Sequence, residues 1–211
     1  MASFLACAQA KNEKQQIYAA YFNDTELFSY DSAYNKKIDR VAIAPLKKDS
    51  LEFDSGYLKD YLTGKIKHNK TYIEYVQPKN SAALDWLDSW PRDLGRKISE
   101  DRELGEMLSA LDSVIRVSRR IPDFAMSDKR FVIFSSSDVI YEMGWKKFYK
   151  KQKRSYGLIE VSDIVFSDIG NRAAFYIETR REGLDGEGYV VFMKKLSNGW
   201  EIDSYLQFWI S

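Results

Sequence analysis

Residues 186–211 read GEGYVVFMKKLSNGWEIDSYLQFWIS, and this stretch decides the fold. Two runs rich in β-branched and aromatic residues flank Ser197-Asn198-Gly199. Asn198 and Gly199 both tolerate positive φ, so the segment predicts a β-hairpin. In its second arm Trp200, Ile202, Leu206, Phe208 and Ile210 share one parity and are expected on one side of a sheet. Upstream lie VSDIVFS (161–167) and NRAAFYIETR (171–180), where Ala173, Phe175 and Ile177 share a parity in the same way. The links are DIGN, REGLDGEG and SNG. Four strand candidates at such close spacing predict an antiparallel meander with one covered face.

The cover is expected from helices earlier in the chain. From Glu13 to about Ser29, the positions Ile17, Tyr18, Tyr21, Phe22 and Thr25 trace one helical face. From about Ser99 to Arg119, Leu104, Met107, Leu108, Leu111 and Ile115 give the strongest helical periodicity, closed by Pro122. A third helix is predicted in SDVIYEMGWKKFYKKQKRSYG, with a cap at Ser137 or Asp138 and a stop at Gly157. IDRVAIAPLK, TYIEYV and RFVIFSS read as strands, and YLKDYLTGK and SAALDWLDSW as short helices. The expected fold is α+β: N-terminal and central helices packed on an antiparallel sheet that ends in a four-stranded meander. Residues 13–211 are expected to form a single α+β domain, with two subdomains meeting near Pro122 as the alternative.

Hydrophobic residues make up 45% of the 211 and charged residues 30%, the balance of a globular chain. With 14 Tyr, 12 Phe and 5 Trp, a sizeable core is within reach. The net charge of +1 argues against a dedicated nucleic-acid binder, which carries a basic excess. No apolar run approaches the roughly 20 residues of a membrane-spanning helix. One histidine, His68, serves the whole chain, so metal sites needing two are excluded, and its polar surroundings (KIKHNKTY) read as a solvated loop. Neither a nucleophile elbow, a dinucleotide fingerprint, a Cys-x-x-Cys pair nor a phosphate loop is present, so no cofactor, metal or catalytic residue is assigned.

Two segments stand out as possible binding surfaces. WKKFYKKQKRSY holds Lys146, Lys147, Lys150, Lys151, Lys153 and Arg154 with no acid among them. Without those six the chain would be net acidic. On a helix, Trp145, Phe148, Tyr149 and Gln152 fall on one face and the cations on the other. That pattern suits a patch for phosphate, anionic lipid or an acidic partner. It equally describes a helix whose aromatics are core and whose lysines are solvated, and the core spacing of the aromatics favours this second reading. RREGLDGEGY reads as a hairpin loop whose glycines supply turn geometry. Arg180, Arg181, Asp185 and Glu187 could form a polar recognition surface there. Trp86 and Trp90, four apart, fit core packing better than a ligand groove.

At the N-terminus, Phe4-Leu5-Ala6-Cys7 approximates the last positions of a lipoprotein signal, which makes Cys7 a lipidation candidate. Ala8-Gln9-Ala10 offers a competing cleavage site before Lys11. Residues 1–12 are therefore read as a signal remnant or disordered tether, and a frayed cytosolic N-terminus is the alternative. Cys7 is the single cysteine, so no intramolecular disulfide can form.

The stretch from Trp145 to Ser211 resembles the C-terminal region of a family of uncharacterised bacterial exported proteins. The residues that carry the resemblance are Trp145, Phe148, Gly157, Ser162, Phe166, Ala173, Ala174, Gly183, Gly186, Gly188, Gly199, Trp200, Trp209 and Ser211. It covers about a third of the chain and implies export and an α+β fold, with no activity attached. The closing meander also looks like the sheet of NTF2-like and cystatin-like domains, folds that host many functions. The expected function is thus a non-enzymatic envelope-associated protein (periplasmic or lipid-anchored) that binds a partner protein or small ligand. Its contact with the membrane would run only through a lipid anchor or the basic helix. One alternative is an NTF2-like enzyme with a carboxylate or Tyr site. Another is a cytoplasmic partner-binding protein of the immunity type. A deep pocket holding a buried Asp or Glu with a raised pKa would favour the enzyme.

Overall fold

The computed structural model describes residues 2–23, 30–31, 36–38, 40–46, 101–115, 130–181 and 186–210. The strand expected at TYIEYV and the helices expected at YLKDYLTGK and SAALDWLDSW lie outside them, as do His68, Trp86, Trp90, Pro122 and Asp185. In chain order the elements are α1 (Ala2–Phe22), β1 (Tyr30–Asp31), β2 (Lys36–Lys37), β3 (Arg40–Pro45), α2 (Arg102–Ile115) and β4 (Phe131–Ile133). Then come α3 (Asp138–Met143), α4 (Trp145–Lys151), β5 (Ser155–Val161), β6 (Val165–Phe166), β7 (Arg172–Arg180), β8 (Gly186–Leu196) and β9 (Gly199–Ile210).

Strands β1 and β2 form a small ribbon, and the other seven form one sheet in the order β4-β3-β5-β7-β8-β9, with β6 also on β7. The hairpin predicted around Asn198-Gly199 is present: β8 and β9 pair antiparallel from Leu196↔Gly199 outward. β5, β7, β8 and β9 run antiparallel in turn. The sheet as a whole, however, is mixed where an antiparallel one was expected. β3 lies parallel to both β4 and β5. The connection from β4 through α3 and α4 to β5 is a helical crossover that brings the chain back in the same direction, with Phe148 of α4 packed on β3.

Both faces of this sheet are covered, so its strands are buried on both sides and not on one. Val41, Ile43, Ile159, Val161, Ala173, Phe175, Ile177, Val191 and Met193 face α1, which contributes Ile17, Tyr18, Tyr21 and Phe22. The rings of Tyr18 and Tyr21 meet Phe175 edge-on at 5.5 and 5.3 Å. On the opposite face Ala174, Tyr176, Val190 and Phe192 pack against Met107, Leu108, Leu111 and Ile115, the stripe predicted for α2. Beside them Ala42, Ala44 and Leu158 receive Phe148 of α4. The alternation in RVAIAP explains this split: large Val41 and Ile43 fill the α1 side, and small Ala42 and Ala44 admit α4 on the other.

Polar contacts fix the helices in place. Lys14 bonds Asp163 at 2.6 Å, and the buried Tyr18 hydroxyl donates to the Ser162 carbonyl at 2.5 Å. Asp101 caps α2 by accepting from the Glu103 and Leu104 N–H groups, and it also pairs with Arg172. That guanidinium holds the Asp101 carboxyl below its ordinary range.

Four local expectations need correction. α1 starts at Ala2, so the residues read as preceding the first helix are its opening turns, Cys7 among them, and its described end is Phe22. The single helix expected to run to Gly157 is two short ones, because Gly144 with φ +75° breaks it into α3 and α4. Gly157 does not stop a helix but sits inside β5, with φ +124°. Finally, bulges interrupt the parity of β9, one between the pairs Phe192↔Ser204 and Met193↔Ile202. Beyond it Tyr205 joins Trp200 and Ile202 on the α1 side.

Candidate functional site

β5 and β7 are apolar strands, each interrupted by one acid on the side away from α1. In β5 it is Glu160, between Ile159 and Val161; in β7 it is Glu178, two residues past Tyr176. The register makes Glu160 and Glu178 direct cross-strand partners. Residues so placed hold their Cβ atoms only about 5 Å apart. Both side chains are completely buried. Two carboxylates cannot remain so close and dry without compensation.

Arg180, next on the same side of β7, supplies it. Its Nε donates to Glu178 Oε1 in a close contact and lies 3.5 Å from Glu160 Oε2. Tyr141 of α3 donates to Glu160 Oε2 at 2.9 Å, and Tyr176 donates to Glu178 Oε2 at 3.3 Å. Burial, reinforced by the charge of Glu160, pushes the Glu178 carboxyl up to about 7, against the pull of Arg180 and the Tyr176 hydroxyl. Burial works against the charge of Arg180, but Glu178, Tyr141 and Glu160 outweigh it and hold the guanidinium above its ordinary value. Burial and then Glu160 also raise the Tyr141 phenol. Tyr141 is 37% exposed, so it links the buried pair to the surface. The cluster can hold or release a proton near neutrality. Around an arginine it is no cradle for a metal, and among the described residues no group of three His, Cys, Asp or Glu could hold one.

The pleat separates residues that the sequence set side by side. Arg180 joins the carboxylate pair, while Glu187 lies on the α1 side. There Glu187 accepts from Tyr189 at 2.6 Å and from Tyr156 and Thr179 at 3.3 Å. The Arg181 guanidinium lies over the Tyr156 ring, 5.2 Å from its centre. Burial, followed by the bond to Glu187, raises the Tyr189 phenol. The structure therefore brings Arg181 and Glu187 together and sends Arg180 to the other face; Asp185 lies outside the described residues.

On α4, Phe148 is buried and Trp145 and Tyr149 pack beside it, as the core reading of the aromatics expected. Lys146, Lys147, Lys150 and Lys151 are all exposed on the outer side and form no ion pair among the described residues. Of Cys7 the structure gives its place in α1. Glu160, Glu178, Tyr141 and Tyr176 were not singled out from sequence. The signal was an acid at an inward position of LIEV and YIETR, which matters only once both faces are known to be covered.

Compared with protein-family models, with curated proteins and with solved structures, the chain finds no match. No helix among the described residues is long and apolar enough to cross a membrane.

Proposed function

We propose that this is a non-enzymatic binding protein that engages an acidic surface of a partner through the outer side of α4. The observation that carries the reading is the set of four exposed lysines, 146, 147, 150 and 151, held on a helix whose other side is anchored by Phe148. Such a cluster, in a segment (145–156) that itself holds no acid, costs self-repulsion that an acidic partner relieves. Residence in the bacterial envelope, with Cys7 as a lipid anchor, belongs to the same proposal; its support is the Phe4–Cys7 stretch and the resemblance of residues 145–211. The cytoplasm is the alternative.

Changing Lys146, Lys147, Lys150 and Lys151 to Glu is expected to abolish retention on heparin at low salt while the fold is kept. Unchanged retention overturns the reading. Retention on anionic liposomes as well as heparin would shift the partner from protein to membrane. Fractionation of wild type against Cys7→Ser tests the location: a wild type that stays out of the membrane fraction removes the anchor.

One observation favours the enzymatic alternative, a buried carboxyl, Glu178, that titrates near neutrality. Against it, both Glu178 oxygens are engaged within the protein, by Arg180 and Tyr176. A general acid or base needs an oxygen turned to its substrate.

A further inference from the structure

The carboxylate pair lies where three elements meet. β5 gives Glu160, β7 gives Tyr176, Glu178 and Arg180, and α3 gives Tyr141. The other described neighbours on this face bring little charge. α2 presents Met107, Leu108, Leu111 and Ile115; β3 presents Ala42 and Ala44; α4 presents Phe148, flanked by Trp145 and Tyr149; β8 places Gly188 opposite Glu178. The cap of α2, Asp101, and the acid of its first turn, Glu103, turn to Arg172. Glu178 thus faces one carboxylate, shares one guanidinium with it, and touches one phenol, out of reach of water.

We propose that Glu178 is a proton-operated latch: protonated, it closes the β5–β7 pairing and holds α3 on the sheet; deprotonated, it loosens both. A carboxyl proton on Glu178 removes the like-charge opposition to Glu160 and frees Arg180 to serve Glu160. Loss of that proton leaves two dry anions directly opposite each other, drawn to the same Arg180 Nε. The strain falls on the register pairs Leu158↔Arg180 to Val161↔Ile177. It reaches α3 because the Tyr141 hydroxyl is bonded to Glu160. The result is a seam inside the sheet, between β5 and β7, that loosens as the surroundings turn from acidic to neutral.

Amide hydrogen exchange tests this, with rates corrected for the intrinsic effect of pH. Opening releases one proton in the range between the ordinary carboxyl value and about 7. Protection in residues 158–161, 177–180 and 138–143 of wild type is therefore expected to fall about tenfold per pH unit between pH 5 and pH 7. In Glu178→Gln, which keeps shape and polarity without the titration, protection is expected to be independent of pH there. Protection that is flat in wild type, or a slope that survives in Glu178→Gln, overturns the latch. Should the variant not fold, infrared spectroscopy of wild type decides. A buried protonated carboxyl band at pH 5.5 that vanishes by pH 8.5 supports the proposal, and its absence at both overturns it.

Discussion

Glu178 faces Glu160 across the β5/β7 pair with neither side chain exposed, and the Nε of Arg180 serves both. Breaking a buried ionic group by removing one member is far worse than replacing all of it, because the partners stay behind dry and charged. Arg180→Met is accordingly expected to destabilise the fold by about 3–5 kcal/mol in denaturant unfolding. Combining it with Glu178→Gln is expected to recover a good part of that loss, a coupling that a double-mutant cycle measures.

The same pair sets a pH dependence with a definite sign. The Glu178 carboxyl is raised in the folded chain from its ordinary 4.5 to about 7. Its contribution is complete below pH 4.5 and is lost as pH rises through 7, the reverse of an ordinary paired carboxylate. Asp101, lowered by Arg172, has the usual sign and contributes less as pH falls through its folded value. Thermal unfolding from pH 4 to pH 8 is expected to show the Glu178→Gln variant with its stability maximum shifted to higher pH than wild type.

Gly157 is irreplaceable for two reasons that act together. Its φ of +124° is one that side chains rarely adopt, and an added Cβ would stand 2.5 Å from the Arg180 carbonyl oxygen. Gly157→Ala is expected to cost about 2–3 kcal/mol. Because the clash presses on the backbone of Arg180, the variant is also expected to disturb the carboxylate pair, seen as a changed pH profile of unfolding.

Phe175 is the central contact between sheet and α1, completely buried and met by both Tyr18 and Tyr21. Phe175→Ala is expected to cost about 3–5 kcal/mol, through lost burial and the cavity left behind. Tyr18→Phe removes only the hydroxyl that donates to the Ser162 carbonyl, and about 1 kcal/mol is expected there. Chemical denaturation of the two variants separates ring packing from the hydrogen bond.

Elements made by neighbours in sequence were legible; those made by distant ones were not. The β8–β9 hairpin has its turn residues written between its strands, and the α2 stripe repeats every turn. The place of β3 between β4 and β5 has no such local mark, since its partners lie far along the chain. Reading the sheet as covered on one face hid the meaning of Glu160 and Glu178. On a two-sided sheet an acid within an apolar strand has no water to face, and that is what makes the site. The bulge near Asp203 escaped for another reason: one inserted residue changes which parity faces inward without changing the composition of the strand.

The pairing of α1 with β7 and β9 also governs how the protein comes into being. During synthesis Tyr18 and Tyr21 leave the ribosome well over a hundred residues before their partners Phe175 and Tyr205 are made. The ties that secure the helix, Lys14 to Asp163 and Glu13 to Lys195, span 149 and 182 positions. Contacts of such range form slowly, since a long loop must close before any of them is rewarded. Until those partners emerge, the nascent chain therefore carries a sticky aromatic helix without the strands that cover Tyr18 and Tyr21. The cell must keep it from aggregating until the β8–β9 hairpin is released.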